Sequence, residues 1–137
     1  AKHAHHEFDI DKPGKDSFAH RAAGAAEVLV TSSARWALLH ENRGEPEASF
    51  EQVIARLSPV DLVIVEGFKH HDHDKIEVHN GANGKPSLAG DDPHIFAIAS
   101  DVALPDAPVP VIDRDDIAAI ADLLVAHCGL KPPSETA

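Results

Sequence analysis

The chain of 137 residues is poor in the residues that build disulfide frameworks and aromatic cores. It contains one cysteine, one tryptophan, no tyrosine and no methionine. A single cysteine excludes an internal disulfide framework and any zinc site that is made of several cysteines. Sparse cysteine is also typical of proteins that work in a reducing compartment, so we expect a cytoplasmic protein.

Long apolar runs and an excess of positive charge are lacking as well. No apolar stretch approaches the roughly 18 residues that a membrane-spanning helix needs. The formal net charge is −11 with histidine counted as neutral, and such a surface repels a nucleic-acid backbone. We therefore expect no membrane partner and no nucleic-acid partner. The length predicts one domain over residues 1–130, followed by a disordered tail over 131–137.

Helical and strand patterns alternate along the chain. Ser49 and Gln52 have the spacing of a capping box at the start of a helix, and Asp16 or Ser17 is expected to cap an earlier helix. Strands alternating with helices predict an α/β sandwich with a mainly parallel sheet. The predicted helices cover residues 15–26, 49–57 and 113–128, and the predicted strands cover 27–31, 35–40, 61–65, 75–79, 94–99 and 109–112.

The run from Leu62 to Val65 consists of four consecutive branched apolar residues. Such a run without alternation is typical of a strand that is buried on both faces of a parallel sheet. Glu66 follows directly, where a carboxylate can bind Mg²⁺, and Gly67 allows backbone to approach a phosphate closely. Lys69 could add positive charge, although an ordinary exposed acid at a strand end fits the same pattern.

A dense polar segment opens the chain, with three histidines and four acids between His3 and Ser17. Its aspartates could hold a metal ion or the water around it, and its lysines could meet phosphate. Pro13-Gly14 predicts a turn that presents these side chains. The alternative is a solvated loop that caps the next helix. The aspartates are Asp9, Asp11 and Asp16, and the lysines are Lys12 and Lys15.

The histidines suggest a second hypothesis, in which the chain is a metal-binding or dimerisation module without nucleotide chemistry. Imidazole nitrogens are good ligands for zinc and other transition metals. No pair has the i, i+4 helical spacing with a glutamate between that is typical of zinc enzymes. The candidate ligands are His3, His5, His6, His70, His71 and His73.

Seven segments together resemble the family of molybdopterin-guanine dinucleotide biosynthesis adaptor proteins, protein B of that pathway. They are residues 2–6, 8–17, 21–25, 33–38, 62–69, 75–78 and 97–101. The run Phe8-Asp9-Ile10-Asp11-Lys12-Pro13-Gly14-Lys15-Asp16-Ser17 and the run Val65-Glu66-Gly67-Phe68-Lys69 are specific together. The resemblance extends from residue 1 to about residue 127, with the segments in order and at the family's spacing.

The resemblance implies a P-loop NTPase-like, three-layer α/β sandwich that binds GTP with Mg²⁺. It implies a homodimer that assists the molybdopterin guanylyltransferase, with at most slow GTP hydrolysis and no catalytic residue that can be assigned. By position, Glu66 matches the acid near Mg²⁺, and Ser100 and Asp101 lie where related folds recognise the base. The residues expected to face the nucleotide phosphates are Asp9, Asp11, Lys15, Asp16, Gly67 and Lys69.

One hallmark of P-loop proteins does not occur in these 137 residues. It is the Gly-x-x-x-x-Gly-Lys-[Ser/Thr] loop, whose backbone amides and lysine cradle the phosphates. From its absence we expect a chain that is truncated at the N-terminus, without the first strand, the P-loop and the first helix. We also expect this chain alone to bind GTP weakly or not at all.

Overall fold

The computed structural model describes residues 1–4 and 8–131. The chain divides into two compact units, Ala1–Ser58 and Pro59–Ala137. The expected single domain over 1–130 stays a prediction. The expected tail lies, except for Lys131, outside the described residues, as do His5 and His6 of the metal hypothesis.

The first unit is built around a β-hairpin. Strand β1 (Glu27–Thr31) pairs antiparallel with β2 (Trp36–His40), and both lie where the sequence predicts strands. Helix α1 (Asp16–Ala22) precedes the hairpin and helix α2 (Phe50–Ile54) follows it. At the open end of the hairpin, Glu27 and His40 lie opposite each other, with Nδ1 of His40 3.0 Å from the carboxylate.

Helix α1 differs from its prediction at both ends. Its N-cap is Lys15, with no side-chain cap, so the expected capping by Asp16 or Ser17 was wrong. The hydroxyl of Ser17 donates to Asp11 instead, at 2.8 Å. The helix ends at Ala22, because Gly24 follows with a φ of +108°, a conformation that stops a helix.

Helix α2 begins as the sequence predicts. The Ser49 hydroxyl accepts the Gln52 backbone amide at 3.3 Å, and the Gln52 side chain accepts the Ser49 amide at 2.8 Å. This reciprocal pair is the expected capping box. It depends only on residues three apart, which is why the sequence was sufficient to predict it.

The second unit contains a parallel sheet in the order β3–β4–β5. Its elements are β3 (Lys75–His79), a 3₁₀ turn (Gly81–Asn83), β4 (Ile95–Ser100), β5 (Val111–Asp113) and α3 (Ile117–His127). The expected parallel sheet is confirmed for these three strands, and the α/β class with it.

The core of this unit lies on the central strand. Ala97 and Ile98 of β4 are completely buried, and Ile98 packs with Ile95 and Ala89. Helix α3 is attached to the sheet by its last residue, His127. The His127 ring stacks on Phe96 with 3.6 Å between centroids. Its Nε2 atom lies 2.7 Å from an Asp74 carboxylate oxygen. The ring stack and this polar contact together hold the C-terminal end of α3 in place.

The predicted buried strand over residues 61–65 was wrong. Residues 62–65 lie outside regular secondary structure, and Ile64 is 70% exposed. Burial on both faces requires neighbouring strands and a packed layer on each side. Leu62 and Ile64 are exposed and alternate with half-buried Val63 and Val65, so the run is covered on one side only. Within 1–4 and 8–131, no helix has the length and apolar character to cross a bilayer.

Candidate functional site

The acidic loop of the first unit, residues 8–16, is organised by Arg21. The guanidinium Nη1 donates to Asp9 at 2.8 Å and lies 3.3 Å from Asp11, while Nε donates to Glu41 at 2.7 Å. Glu41 follows β2, so one arginine on α1 ties the loop to the end of the hairpin. The Arg21 side chain is 18% exposed and that of Asp11 only 7%, so the pair of Arg21 with Asp11 is shielded from solvent.

The two loop aspartates also bind backbone amides. Asp9 Oδ1 accepts the amide of Asp11 at 2.8 Å, and Asp11 Oδ1 accepts the amide of Lys12 at 2.9 Å. The hydrogen bond from Arg21 lowers the pKa of Asp9. The hydrogen bond from the Ser17 hydroxyl lowers the pKa of Asp11. Both carboxylates are therefore ionised and already hydrogen-bonded.

A second arginine fixes the helix that carries the first. Arg43 adopts a φ of +45°, which is unusual for a residue with a side chain. From this position its Nη2 donates to the carbonyl oxygens of Arg21 at 2.7 Å and Ala25 at 2.9 Å. A cation on the last carbonyls of a helix stabilises that end, so Arg43 holds the C-terminal end of α1 in place.

Lys15 and Asp16, the other two loop residues predicted to face phosphates, lie at the start of α1. Both side chains are exposed. Their exposure leaves them accessible to a ligand, in contrast to Asp11. Of the four predicted loop residues, the structure therefore leaves Lys15 and Asp16 accessible, and it pairs the other two with Arg21.

At the carboxyl end of the parallel sheet, Ser100 and Asp101 bind the protein itself. The Ser100 hydroxyl donates to the carbonyl of Val102 at 2.7 Å. Asp101 accepts the amide of Gly81 at 2.8 Å and lies 3.2 Å from Arg114. The Gly81 amide is the main reason why the pKa of Asp101 is lowered. In this arrangement both side chains join the end of β4 to the segments around it.

Glu66, Gly67 and Lys69 lie in the segment before β3. Gly67 has a φ of +93°, a left-handed conformation that glycine adopts without strain. Lys69 lines a cavity of about 460 Å³ together with Lys75 and His94. Lys75 is the first residue of β3 and His94 directly precedes β4, so the cavity lies at the amino ends of these parallel strands. The structure therefore does not bring Lys69 next to Ser100 and Asp101, which end the same sheet.

The described residues do not form a ready metal centre. In residues 1–4 and 8–131, no three histidine, cysteine, aspartate or glutamate side chains are grouped so that they could hold an ion. Arg21 occupies the space between Asp9 and Asp11 that a cation would need. The carboxylates of the loop, as arranged here, do not fit Mg²⁺ by themselves.

Arg21 and Glu41 are the residues that sequence reasoning missed. Arg21 acts on Asp9 across 12 positions and on Glu41 across 20. Neither separation belongs to a helical or strand period, so no local pattern reveals the contact. The available signal was a lone arginine on the helix next to a loop rich in acids.

Comparisons with known proteins agree on one family. The family model of molybdopterin guanine dinucleotide synthesis protein B, MobB, matches residues 1–101. The molybdopterin-guanine dinucleotide biosynthesis adapter protein of Escherichia coli (strain K12) is 43% identical over 127 residues, which are 90% of this chain and 72% of that protein. The adapter protein of the same name from Haemophilus influenzae (strain ATCC 51907 / DSM 11121 / KW20 / Rd) is 32% identical over 123 residues, 90% of this chain and 68% of that protein.

A solved structure has a similar fold. It is the crystal structure of molybdopterin-guanine biosynthesis protein B, which superposes with a TM-score of 0.62 at 24% identity. The match covers 83% of this chain and 74% of that one. Together with the parallel sheet, it fits a P-loop-like α/β fold. The family resemblance in the sequence is confirmed, and the chain belongs to the MobB family, the molybdopterin guanine dinucleotide synthesis protein B family.

Proposed function

We propose that this protein is an adaptor in the biosynthesis of molybdopterin guanine dinucleotide, where it assists the guanylyltransferase that attaches GMP to molybdopterin. The observation that carries the proposal is the 43% identity, over 90% of this chain, to a relative named an adapter protein of that synthesis. The role is tested by adding the chain to the guanylyltransferase reaction and measuring the dinucleotide that forms.

The proposal includes GTP and Mg²⁺ as ligands of a three-layer, P-loop NTPase-like arrangement. Lys15 and Asp16 are accessible at the first turn of α1. Glu66 is exposed, and it is followed by a glycine with positive φ. Mg²⁺ in nucleotide sites is held by one or two carboxylates and the substrate phosphates, so the ion would arrive with GTP, with Glu66 as its carboxylate. In the same proposal Asp9 and Asp11 shape the loop, and Ser100 and Asp101 face the base.

This chain alone should bind GTP weakly or not at all. The phosphate-cradling Gly-Lys-[Ser/Thr] loop does not occur in its sequence, and Asp9 and Asp11 are already paired with Arg21. In a titration with fluorescent GTP and Mg²⁺, we expect no saturation at micromolar nucleotide. Saturable binding with a micromolar dissociation constant would refute the prediction. Fluorescent ATP is the control for nonspecific nucleotide binding.

The proposed homodimer has a candidate surface on the hairpin. Leu29 pairs with Leu38, and Trp36 lies on the same face two residues from Leu38. The exposed fractions are 61% for Leu29, 67% for Trp36 and 45% for Leu38. Contiguous exposed apolar side chains of this kind are typical of interaction surfaces. We call Leu29, Trp36 and Leu38 the hairpin face.

A further inference from the structure

The cross-strand pair at the open end of the hairpin, Glu27 and His40, lies on the same side of the strands as the hairpin face. Successive side chains of a strand alternate between its two sides. Glu27 of β1 therefore shares a side with Leu29, and on β2 His40 shares it with Leu38. The two cross-strand pairs are neighbours, two positions apart on each strand. A polar pair that can carry charge thus borders the apolar hairpin face.

The charged groups on the elements around this pair are engaged or lie elsewhere. Helix α1 packs on β1, whose one buried side chain, Val28, belongs to the opposite side of the hairpin. Arg21 of α1 and Glu41 after β2 bind each other, and Arg43 binds a backbone carbonyl at the end of α1. The other charged or titratable groups nearby are exposed, namely Asp16 and His20 on α1 and Arg35 in the turn at the far end of the strands.

The hairpin face is too small to hold two copies of the chain together by itself. A strand of five residues is roughly 17 Å long and a strand pair about 10 Å wide, so one whole side of the hairpin covers only about 170 Å². Stable interfaces bury about 800 Å² of each partner. A homodimer through the hairpin face must therefore cover this entire side, with Glu27 and His40 included. Because such dimers are two-fold symmetric, the pair of each copy is enclosed.

We propose that the pair of Glu27 and His40 makes the homodimer pH-dependent, with the tighter dimer at the lower pH. The inference rests on the homodimer proposed above and adds its regulation. Nδ1 of His40 lies 3.0 Å from the Glu27 carboxylate, and the two side chains are 47% and 46% exposed in the single chain. Both side chains lose contact with water when a second copy covers this side of the hairpin.

The sign of the effect follows from the charge of the covered pair. Histidine changes its charge between about pH 5 and 8, whereas glutamate stays ionised over most of this range. With His40 protonated, the pair has no net charge. With His40 neutral, each copy brings an uncompensated carboxylate into the interface. An unpaired charge is costly to remove from water, so the dimer dissociation constant rises as the pH rises.

The test is the dimer dissociation constant, measured by sedimentation equilibrium between about pH 6 and 8 at constant ionic strength. We expect the wild-type constant to be about tenfold lower at the acid end of this range. The net charge of −11 makes two copies repel each other, and this repulsion also weakens as other histidines are protonated. His20→Gln is the matched control for that background, since it removes an exposed histidine from α1. It should keep the wild-type pH dependence.

His40→Gln should lose the pH dependence except for the background. Glu27→Gln should lose it as well, because a protonated His40 without its carboxylate is itself an unpaired charge. A wild-type dimer whose constant does not change with pH, equal pH dependence in His20→Gln and His40→Gln, or full dependence in Glu27→Gln would overturn the pH effect and leave the homodimer standing. A wild-type chain that is monomeric throughout would overturn both proposals. Far-UV circular dichroism at each pH verifies that every variant is folded.

Discussion

Replacement of Arg21 by glutamine is expected to raise the pKa of both Asp9 and Asp11 towards the ordinary aspartate value. In the wild type, the Arg21 guanidinium holds the pKa of Asp9 low, and it adds to the effect of Ser17 on Asp11. Glutamine keeps a hydrogen-bond donor but no charge. Carboxyl ¹³C chemical shifts, followed over pH, measure both titrations directly.

The same variant should change the acid stability of the first unit. A carboxyl whose pKa is lowered by folding stabilises the fold above its unfolded pKa, about 3.9 for aspartate, and this contribution is lost as pH falls through the folded pKa. The wild type therefore loses stability below about pH 4. The variant should be less stable than the wild type at pH 7, and the difference should shrink in acid.

The matched control is Arg35→Gln, which removes the same charge from an exposed arginine in the hairpin turn. It should leave the titrations of Asp9 and Asp11 unchanged. If Arg21→Gln and Arg35→Gln give the same titration midpoints as the wild type, Arg21 does not organise the acidic loop.

Replacement of Trp36 by glutamate is expected to dissociate the proposed homodimer. Trp36 is 67% exposed on the hairpin face, and a buried interface tryptophan commonly contributes about 2 kcal/mol or more. This corresponds to a dimer dissociation constant that is raised about 30-fold. Sedimentation equilibrium over a range of protein concentrations measures the constant.

Leu57→Glu is the control for the dimer, because Leu57 is exposed in the same unit but lies outside the hairpin face. It should leave the dissociation constant unchanged. A wild-type chain that is monomeric at every concentration, or equal constants for wild type and Trp36→Glu, would exclude this face as the dimer interface.

The features that the sequence predicted well depend on residues close together in the chain. The capping box of Ser49 and Gln52 spans three positions, and the hairpin strands are joined by a four-residue turn. Strand β3 followed from the alternation of apolar and polar residues over 75–79, and β4 followed from a short apolar run. In each case the local pattern and the final contact involve the same few residues.

The features that the sequence predicted poorly depend on contacts between distant segments. The run 62–65 has the composition of an interior strand, but Ile64 is exposed, because composition does not provide a covering layer. Ser17 looked like a helix cap, yet its hydroxyl donates to Asp11. Lys69 follows Glu66 closely in the sequence. The structure nevertheless places Lys69 beside the residues that begin β3 and precede β4, at the amino ends of these strands.

The adaptor role is tested most directly by the rate at which molybdopterin guanine dinucleotide forms from molybdopterin and GTP with purified guanylyltransferase and Mg²⁺. With increasing amounts of this chain, the rate should rise and then level off as the guanylyltransferase becomes saturated. An equal amount of an unrelated acidic protein should have no effect. A rate that stays unchanged at a large excess of the folded chain would contradict the adaptor role.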